Sequence, residues 1–517
     1  MRKTVKKLTA VGLTVTSVLG LVACGSSKGT TSQGTSENKE VTKPDTFTVM
    51  CDGTVVTETN GAEAFYKQLN EATGLDIKWT RPDHASYYDA VANAFNSDDT
   101  MPDVVLLSSD YYALYASNGF LWNMTDAWEH SETKNSGRLI STADNVLSAL
   151  MVNGEDGTKA MYGLSLYRGN GCCTYVKKAW LDKAGIDASK VKDVQMDFNT
   201  YYGYLKQMAQ TMGHYVISSP GFIHPEAPNT NYLPEFYQKA QYTFYKDTSG
   251  KYVDGFAQQE MKEALQRIQT AVNDGVIDKE SVNNSTANAR DKFYSTDPST
   301  ETGVFSYWAG TWANTLKTNL ANKGLDDELI AIKPIKELGA YTERIAPCWC
   351  ITSAAKNPEG IFKYFIDKML DGGDVQMLWT HGAKGTHWDD KAETVTVEKK
   401  EDQPKTYTEG QFHYLPGIEK PDQWQTKNHI DPILSIANFT NGYVGESLIP
   451  EVARENGEFF AENSQVAVPL PMTSELSNNI GDINTARTYV IAQVALGYMT
   501  VDEGMDYYNK TVGSLSN

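Results

Sequence analysis

The side chains best able to engage a partner are aromatic residues set beside turns: Asp110-Tyr111-Tyr112, Tyr167-Arg168, Tyr307-Trp308, Trp312, Trp349 and Trp388. The chain has ten tryptophans and 29 tyrosines, and the residues named lie where an apolar run gives way to a polar one. A flat apolar face next to a hydrogen-bonding group suits a sugar, which offers apolar C–H faces and a rim of hydroxyls. Any single ring of this kind serves equally well as core. Their repetition at the ends of expected strands favours a binding wall.

Covalent chemistry has little support. The sequence has no G-x-S-x-G, H-E-x-x-H, P-loop or G-x-G-x-x-G pattern. The paired carboxylates Asp98-Asp99, Asp326-Asp327 and Asp389-Asp390 are adjacent residues in polar loops, whereas glycoside hydrolysis needs two that converge from separate elements. His381 and His387 bracket a glycine-rich loop without a partner at metal-ligand spacing. Cys51, Cys172, Cys173, Cys348 and Cys350 are odd in number and lie in apolar runs, so they read as buried structural thiols. No metal or other cofactor is expected.

A length of 517 residues with 40% hydrophobic content is ample for several cores, which excludes wholesale disorder. The formal charge of −19 repels phosphate backbones and argues against a nucleic-acid partner. Residues 1–23 carry Arg2, Lys3, Lys6 and Lys7 and then an apolar stretch too short for a comfortable span, the pattern of an export signal. The run Leu21-Val22-Ala23-Cys24-Gly25 resembles the bacterial lipoprotein box, whose cysteine is diacylated and becomes the first residue. Loss of those four cations takes the charge from −19 to −23. Residues 24–44, rich in Ser, Thr, Gly and Lys, read as a flexible tether with a reach of about 25 Å.

Beyond the tether, short β-rich runs alternate with helical stretches, the pattern of an α/β chain. Phe47–Cys51 and Asp103–Leu107 suit buried parallel strands, with a helix over Ala62–Thr73 ended by Gly74 and a strand over Leu75–Thr80 between them. Gln258–Asn273 reads as a helix with Met261, Leu265, Ile268 and Val272 on one face. Another starts at Asn357-Pro358-Glu359 and carries Ile361, Phe362, Phe365, Ile366 and Met369. Residues 244–253 read as a hairpin, and 391–405 as an exposed insertion.

Several ordered segments together resemble the extracellular solute-binding proteins of family 1, the carbohydrate-type receptors of ABC importers. Pro102-Asp103-Val104-Val105 with Asp110 and Gly119-Phe120-Leu121 resembles the family's first-lobe segment. Met161-Tyr162-Gly163-Leu164-Ser165 with Tyr175-Val176-Lys177-Lys178-Ala179-Trp180-Leu181 and Gly185-Ile186 resembles its crossover. Gly303-Val304-Phe305 through Ala309-Gly310-Thr311-Trp312 resembles the strand and loop whose tryptophan stacks on sugar. The run from Ile351 to Glu359 resembles the strand-to-helix step, and Gly382 to Trp388 with the late pair of helices resembles a longer lipoprotein subgroup.

The resemblance implies a two-lobed type II periplasmic-binding fold, each lobe a helix-flanked sheet, with the ligand enclosed between lobes. The expected lobes are 45–164 with 326–375, and 165–325 with 376–517, with crossovers near 162–167 and 325–333. It implies a monomeric, lipid-anchored extracytoplasmic receptor that passes an oligosaccharide to permease subunits without catalysis. Trp312 is then the leading stacking platform, and Asp110 with Tyr111 the pair for hydroxyl recognition and stacking. Trp308, Trp349, Tyr167, Arg168, His387 and Trp388 are further candidates. A binding protein for peptide or another solute, or a secreted glycan-active enzyme, are the alternatives.

Overall fold

Short, mostly buried runs of three to six residues build the two larger sheets. A computed structural model describes residues 40–53, 62–83, 86–137, 143–165, 169–222, 231–247, 249–325, 328–395, 405–415, 451–467, 474–513 and 515. Cys24, the export signal and the tether up to residue 39 lie outside the described residues, as do Tyr167 and Arg168. Residues 41–517 form one unit.

Strand β1 (Thr46–Met50) pairs in parallel with β2 (Asp76–Thr80) and β3 (Val104–Leu107), and the helix Ala62–Thr73 crosses between β1 and β2. That helix buries Ala62, Phe65 and Leu69, as its 3.6-residue periodicity demands, and stops at Gly74, whose φ is +61°. The first sheet also takes in β4 (Gly163–Ser165). In the second sheet, β5 (Cys172–Lys177) runs antiparallel to β6 (Val304–Trp308) on one side and β7 (Leu329–Ala331) on the other. The chain then forms β8 (Tyr341–Glu343) and returns to the first sheet as β9 (Cys348–Ile351), antiparallel to both β3 and β4. A later strand, β10 (Ser464–Val466), pairs in parallel with β8.

Among the described residues, two crossing segments join the lobes, one between β4 and β5 that includes residues 169–171 and one between β8 and β9 over residues 344–347. They run against each other as a narrow ribbon. Ser165 Oγ donates to Ala346 O at 2.9 Å, and Arg344 N donates to Asn170 O at 3.1 Å. A Cβ on Gly169 would lie 1.5 Å from Arg344 O, and one on Gly171 2.0 Å from Thr342 O, so only glycine permits this approach.

Each sheet has its own core. The first contains Phe65, Val104, Leu107, Trp349, Phe365 and Trp379, and the second Trp180, Leu205, Leu265, Ile268, Val304 and Ile332. The helices Ser474–Ala495 and Val501–Val512 close the second core with Ile483, Val490, Val494 and Tyr508. Here Arg487 is fully buried, paired with Asp254 at 2.9 Å and flanked by the rings of Tyr242, Phe244, Phe256 and Tyr508.

The expected lobe limits shift. Leu329–Ala331 pairs with β5, which keeps it in the second lobe, so the return crossing falls at 344–347 rather than at 325–333. Past residue 375, Leu378, Trp379 and Ala383 still pack in the first core, so the first lobe extends beyond the expected limit. Val41 and Thr42, read as tether, are already tied down: Thr42 O accepts from Asn357 Nδ2 at 3.0 Å. The helix begun at Pro358 is capped by Asn357 Oδ1, which accepts from Gly360 N, and then loosens to a π turn over Phe362–Ile366. The hairpin is present, with Phe244–Lys246 paired to Tyr252–Asp254.

Gly169→Ala is expected to force the ribbon apart and lower stability by about 1–3 kcal/mol in urea denaturation, the scale of overpacking. Gly203→Ala is the opposite control: its Cβ would meet open space within the helix Phe198–Met212, and it should stabilise by roughly 0.4–1 kcal/mol.

Candidate functional site

Strand register decides which sheet ends border the ribbon. In the first sheet Cys348, the first residue after the crossing, pairs with Leu107 at the carboxyl end of β3. In the second, Cys172 at the ribbon end of β5 pairs with Trp308 at the carboxyl end of β6. The turn after β3 and the turn after β6 therefore both lie beside the ribbon, one on each lobe. Carboxyl ends of strands in α/β sheets are where ligands bind, because the loops leaving them are free to vary.

On the first lobe β3 runs into the helix Ser109–Ser117, whose first turn holds Asp110 and Tyr111. The Tyr111 ring stacks on that of Tyr88, with centroids 3.9 Å apart and planes 6° apart. The Tyr88 hydroxyl accepts from Ser108 N at 2.8 Å, which fastens the stack to the start of the helix. Burial pushes the Tyr88 phenol up, and both rings remain half-buried.

On the second lobe, Trp308 ends β6 and Trp312 lies in the first turn of the helix Thr311–Asn322. Gly310, at φ +67°, makes the sharp bend between them. Trp312 is 40% exposed and meets Tyr307 edge-on at 5.5 Å, so an open indole face stands on a supported base. Two asparagines clamp the bend. Asn170 Nδ2, from the ribbon, donates to Ala309 O at 3.0 Å, and Asn456 Oδ1 accepts from Gly310 N at 2.7 Å and from the Tyr175 hydroxyl at 2.9 Å. Trp308 is half-buried, with the Arg344 guanidinium 4.5 Å over its ring.

Three sequence candidates are placed differently. Trp349 is 3% exposed and packs edge-on to Phe365 and Trp379, so it is core and offers no stacking face. His387 is buried and its Nδ1 accepts from Ala383 N at 2.7 Å. Trp388 is buried too, with Nε1 donating to Gly382 O at 2.9 Å and its ring stacked on Phe412. These two residues hold the Gly382–Trp388 loop together. Trp312, Trp308, Tyr111 and Asp110 are thus brought to the ribbon side, while Tyr88, Asn170, Arg344 and Asn456 join them with no local sequence signal.

Beneath the second-lobe wall lies a buried carboxyl, Glu235, 3.3 Å from the hydroxyl of Tyr341, which itself donates to Ile332 O at 2.9 Å. Burial raises its pKa to about 7, against the lowering pull of its hydrogen bonds, including those from Thr174 and Tyr341. Cys51, Cys173, Cys348 and Cys350 are buried free thiols and Cys172 is buried. Among the described residues, no group of three or more His, Cys, Asp or Glu side chains is arranged to hold a metal ion.

No family model matches the chain, and no curated protein matches it in sequence. Solved structures do match in fold. An extracellular solute-binding protein family 1 member from Alicyclobacillus acidocaldarius superposes with a TM-score of 0.57 at 14% identity, over 92% of this chain and 100% of that one. A human-milk-oligosaccharide ("HMO") binding, ABC-transporter-associated solute-binding protein from Bifidobacterium longum infantis gives 0.57 at 15%, over 91% and 96%. The cyclic α-maltosyl-1,6-maltose binding protein from Arthrobacter globiformis gives 0.55 at 13%, over 91% and 99%. The chain has the two-lobed α/β fold of these periplasmic-type binding proteins.

The Glu235 shift fixes the sign of a pH effect. Between about pH 4.5 and 7 the folded state keeps a proton that the unfolded chain gives up, so this group's contribution is full below that window and is lost as pH rises through it. Glu235→Gln should gain on the parent by on the order of 3 kcal/mol between pH 4.5 and 8, measured by paired denaturant titrations.

Proposed function

We propose that this protein is a carbohydrate receptor that binds an oligosaccharide between its lobes and delivers it intact to an ABC importer. The observation that carries the reading is the pair of aromatic walls beside the ribbon, Trp308 with Trp312 on one lobe and Tyr111 with Tyr88 on the other. Sugar C–H faces stack on such rings. The named functions of the structures sharing the fold, which bind milk oligosaccharides and a cyclic maltosyl saccharide, support the same ligand class.

The narrow ribbon is the hinge we assign to closure of the lobes, the movement of ligand-enclosing proteins. The lipoprotein-box resemblance around Cys24 supports attachment of a monomer to the outer face of the membrane, with permease subunits as its partners. No helix among the described residues is long and apolar enough to cross a membrane. The role is capture and release, with no bond made or broken.

Thermal shift of the protein from residue 41 onward against mono- and oligosaccharides is expected to give a dose-dependent rise with at least one glycan, recovered intact by chromatography. A shortened glycan would indicate an enzyme, and a shift with peptides alone would discard the ligand class. Trp312→Ala should weaken binding of that glycan about fivefold or more, roughly 1 kcal/mol of lost stacking. An unchanged affinity removes Trp312 from the site. In cells, Cys24→Ser should move the full-length protein from the membrane fraction to the soluble fraction and abolish incorporation of a fatty-acid label.

A further inference from the structure

Arg344 sits on the crossing segment between β8 and β9, where burial alternates: Thr342 and Arg344 are exposed, Glu343 and Ile345 buried. Its guanidinium lies 4.5 Å from the Trp308 ring centroid. Its backbone N–H is bound to Asn170 O, the residue that also clamps the Trp308–Gly310 bend through Ala309 O. Among the described residues, no carboxylate pairs with this guanidinium and no acceptor takes its hydrogen bonds. Most other arginines with a described environment are engaged: Arg487 with Asp254, Arg290 with the Tyr307 hydroxyl, Arg267 with Gln238, Arg454 with Glu458.

From this arrangement we infer that Arg344 and Trp308 form a subsite for an acidic sugar, so that the ligand is a carboxylate-bearing oligosaccharide. The inference rests on the carbohydrate reading above. A stacked guanidinium is held planar and in place, and its fork matches the two oxygens of a carboxylate. Trp308 holds the guanidinium in place, and Trp312, 40% exposed in the helix that follows, offers the open apolar face, so a ligand residue would stack and present its charge on one side of the site. The overall charge of −19 makes local positive charge a necessity for such a ligand, since the surrounding field repels it.

The test uses isothermal titration with hexuronate and sialylated oligosaccharides of several linkages. Each is paired with its neutral counterpart, carboxyl-reduced or desialylated. The expected result is an acidic member that binds about tenfold or more tighter than its neutral counterpart, a preference that weakens as salt is raised. Arg344→Gln should erase the preference, bringing the acidic member to within about twofold of its neutral counterpart in the same variant. Arg344→Lys, which keeps charge but not the fork, should retain only part of it. Melting temperatures of both variants, read without ligand, separate a lost contact from a lost fold. Equal binding of acidic and neutral partners, or a preference that survives Arg344→Gln in a folded protein, overturns the acidic subsite and leaves the carbohydrate receptor standing. Binding of no glycan removes both.

Discussion

The close approach of residue 165 and residues 169–171 to residues 342–348 is the constraint under which the chain passes from one core to the other. β4 and β9 pair because both leave the ribbon on the same side, and β5 receives the chain at the end that faces Trp308. The steric condition is strict at Gly169 and Gly171, where a methyl group would overlap a carbonyl oxygen. The ribbon also fastens the turn after β6, where Asn170 Nδ2 donates to Ala309 O.

The walls themselves are largely organised before any ligand arrives. Tyr111 is stacked on Tyr88, Trp312 leans on Tyr307, and the bend between Trp308 and Trp312 is fixed by asparagines from two distant parts of the chain. Rings held this way lose little rotamer freedom on binding, which is the main cost of recruiting large side chains to an interface. In the receptor proposed above, the adaptable element is then the relative position of the lobes rather than the side chains within them.

Much of this was legible from local pattern. The helices over Ala62–Thr73 and Gln259–Asn273, the strands around β1 and β3, and the cap at Asn357-Pro358 follow from periodicity and capping chemistry, which are local properties. The limits of the lobes were not, because Leu329–Ala331 has the same composition whichever sheet it joins, and only pairing with β5 settles it. Trp349 and Trp312 look alike in sequence as aromatic residues near a turn. What separates them is that Trp349 points into a core closed by Phe365 and Trp379, elements that arrive later in the chain. Arg344 gave no signal at all, since its partner Trp308 is distant in sequence and meets it only through the ribbon.

The buried thiols carry a consequence of their own. Burial raises Cys51, Cys173 and Cys348 to about 12, which leaves about one thiolate in 10⁵ at neutral pH. Since the thiolate is the form that attacks oxidants, disulfides and alkylating reagents, these buried thiols react slowly with all three while the fold is intact. Cys51, Cys348 and Cys350 belong to the first core, and Cys172 and Cys173 to a cluster of the second lobe. Each set becomes reactive only when its own lobe opens. The chain therefore carries two independent reporters of its integrity, and the order in which they are alkylated records which half of the molecule comes apart first.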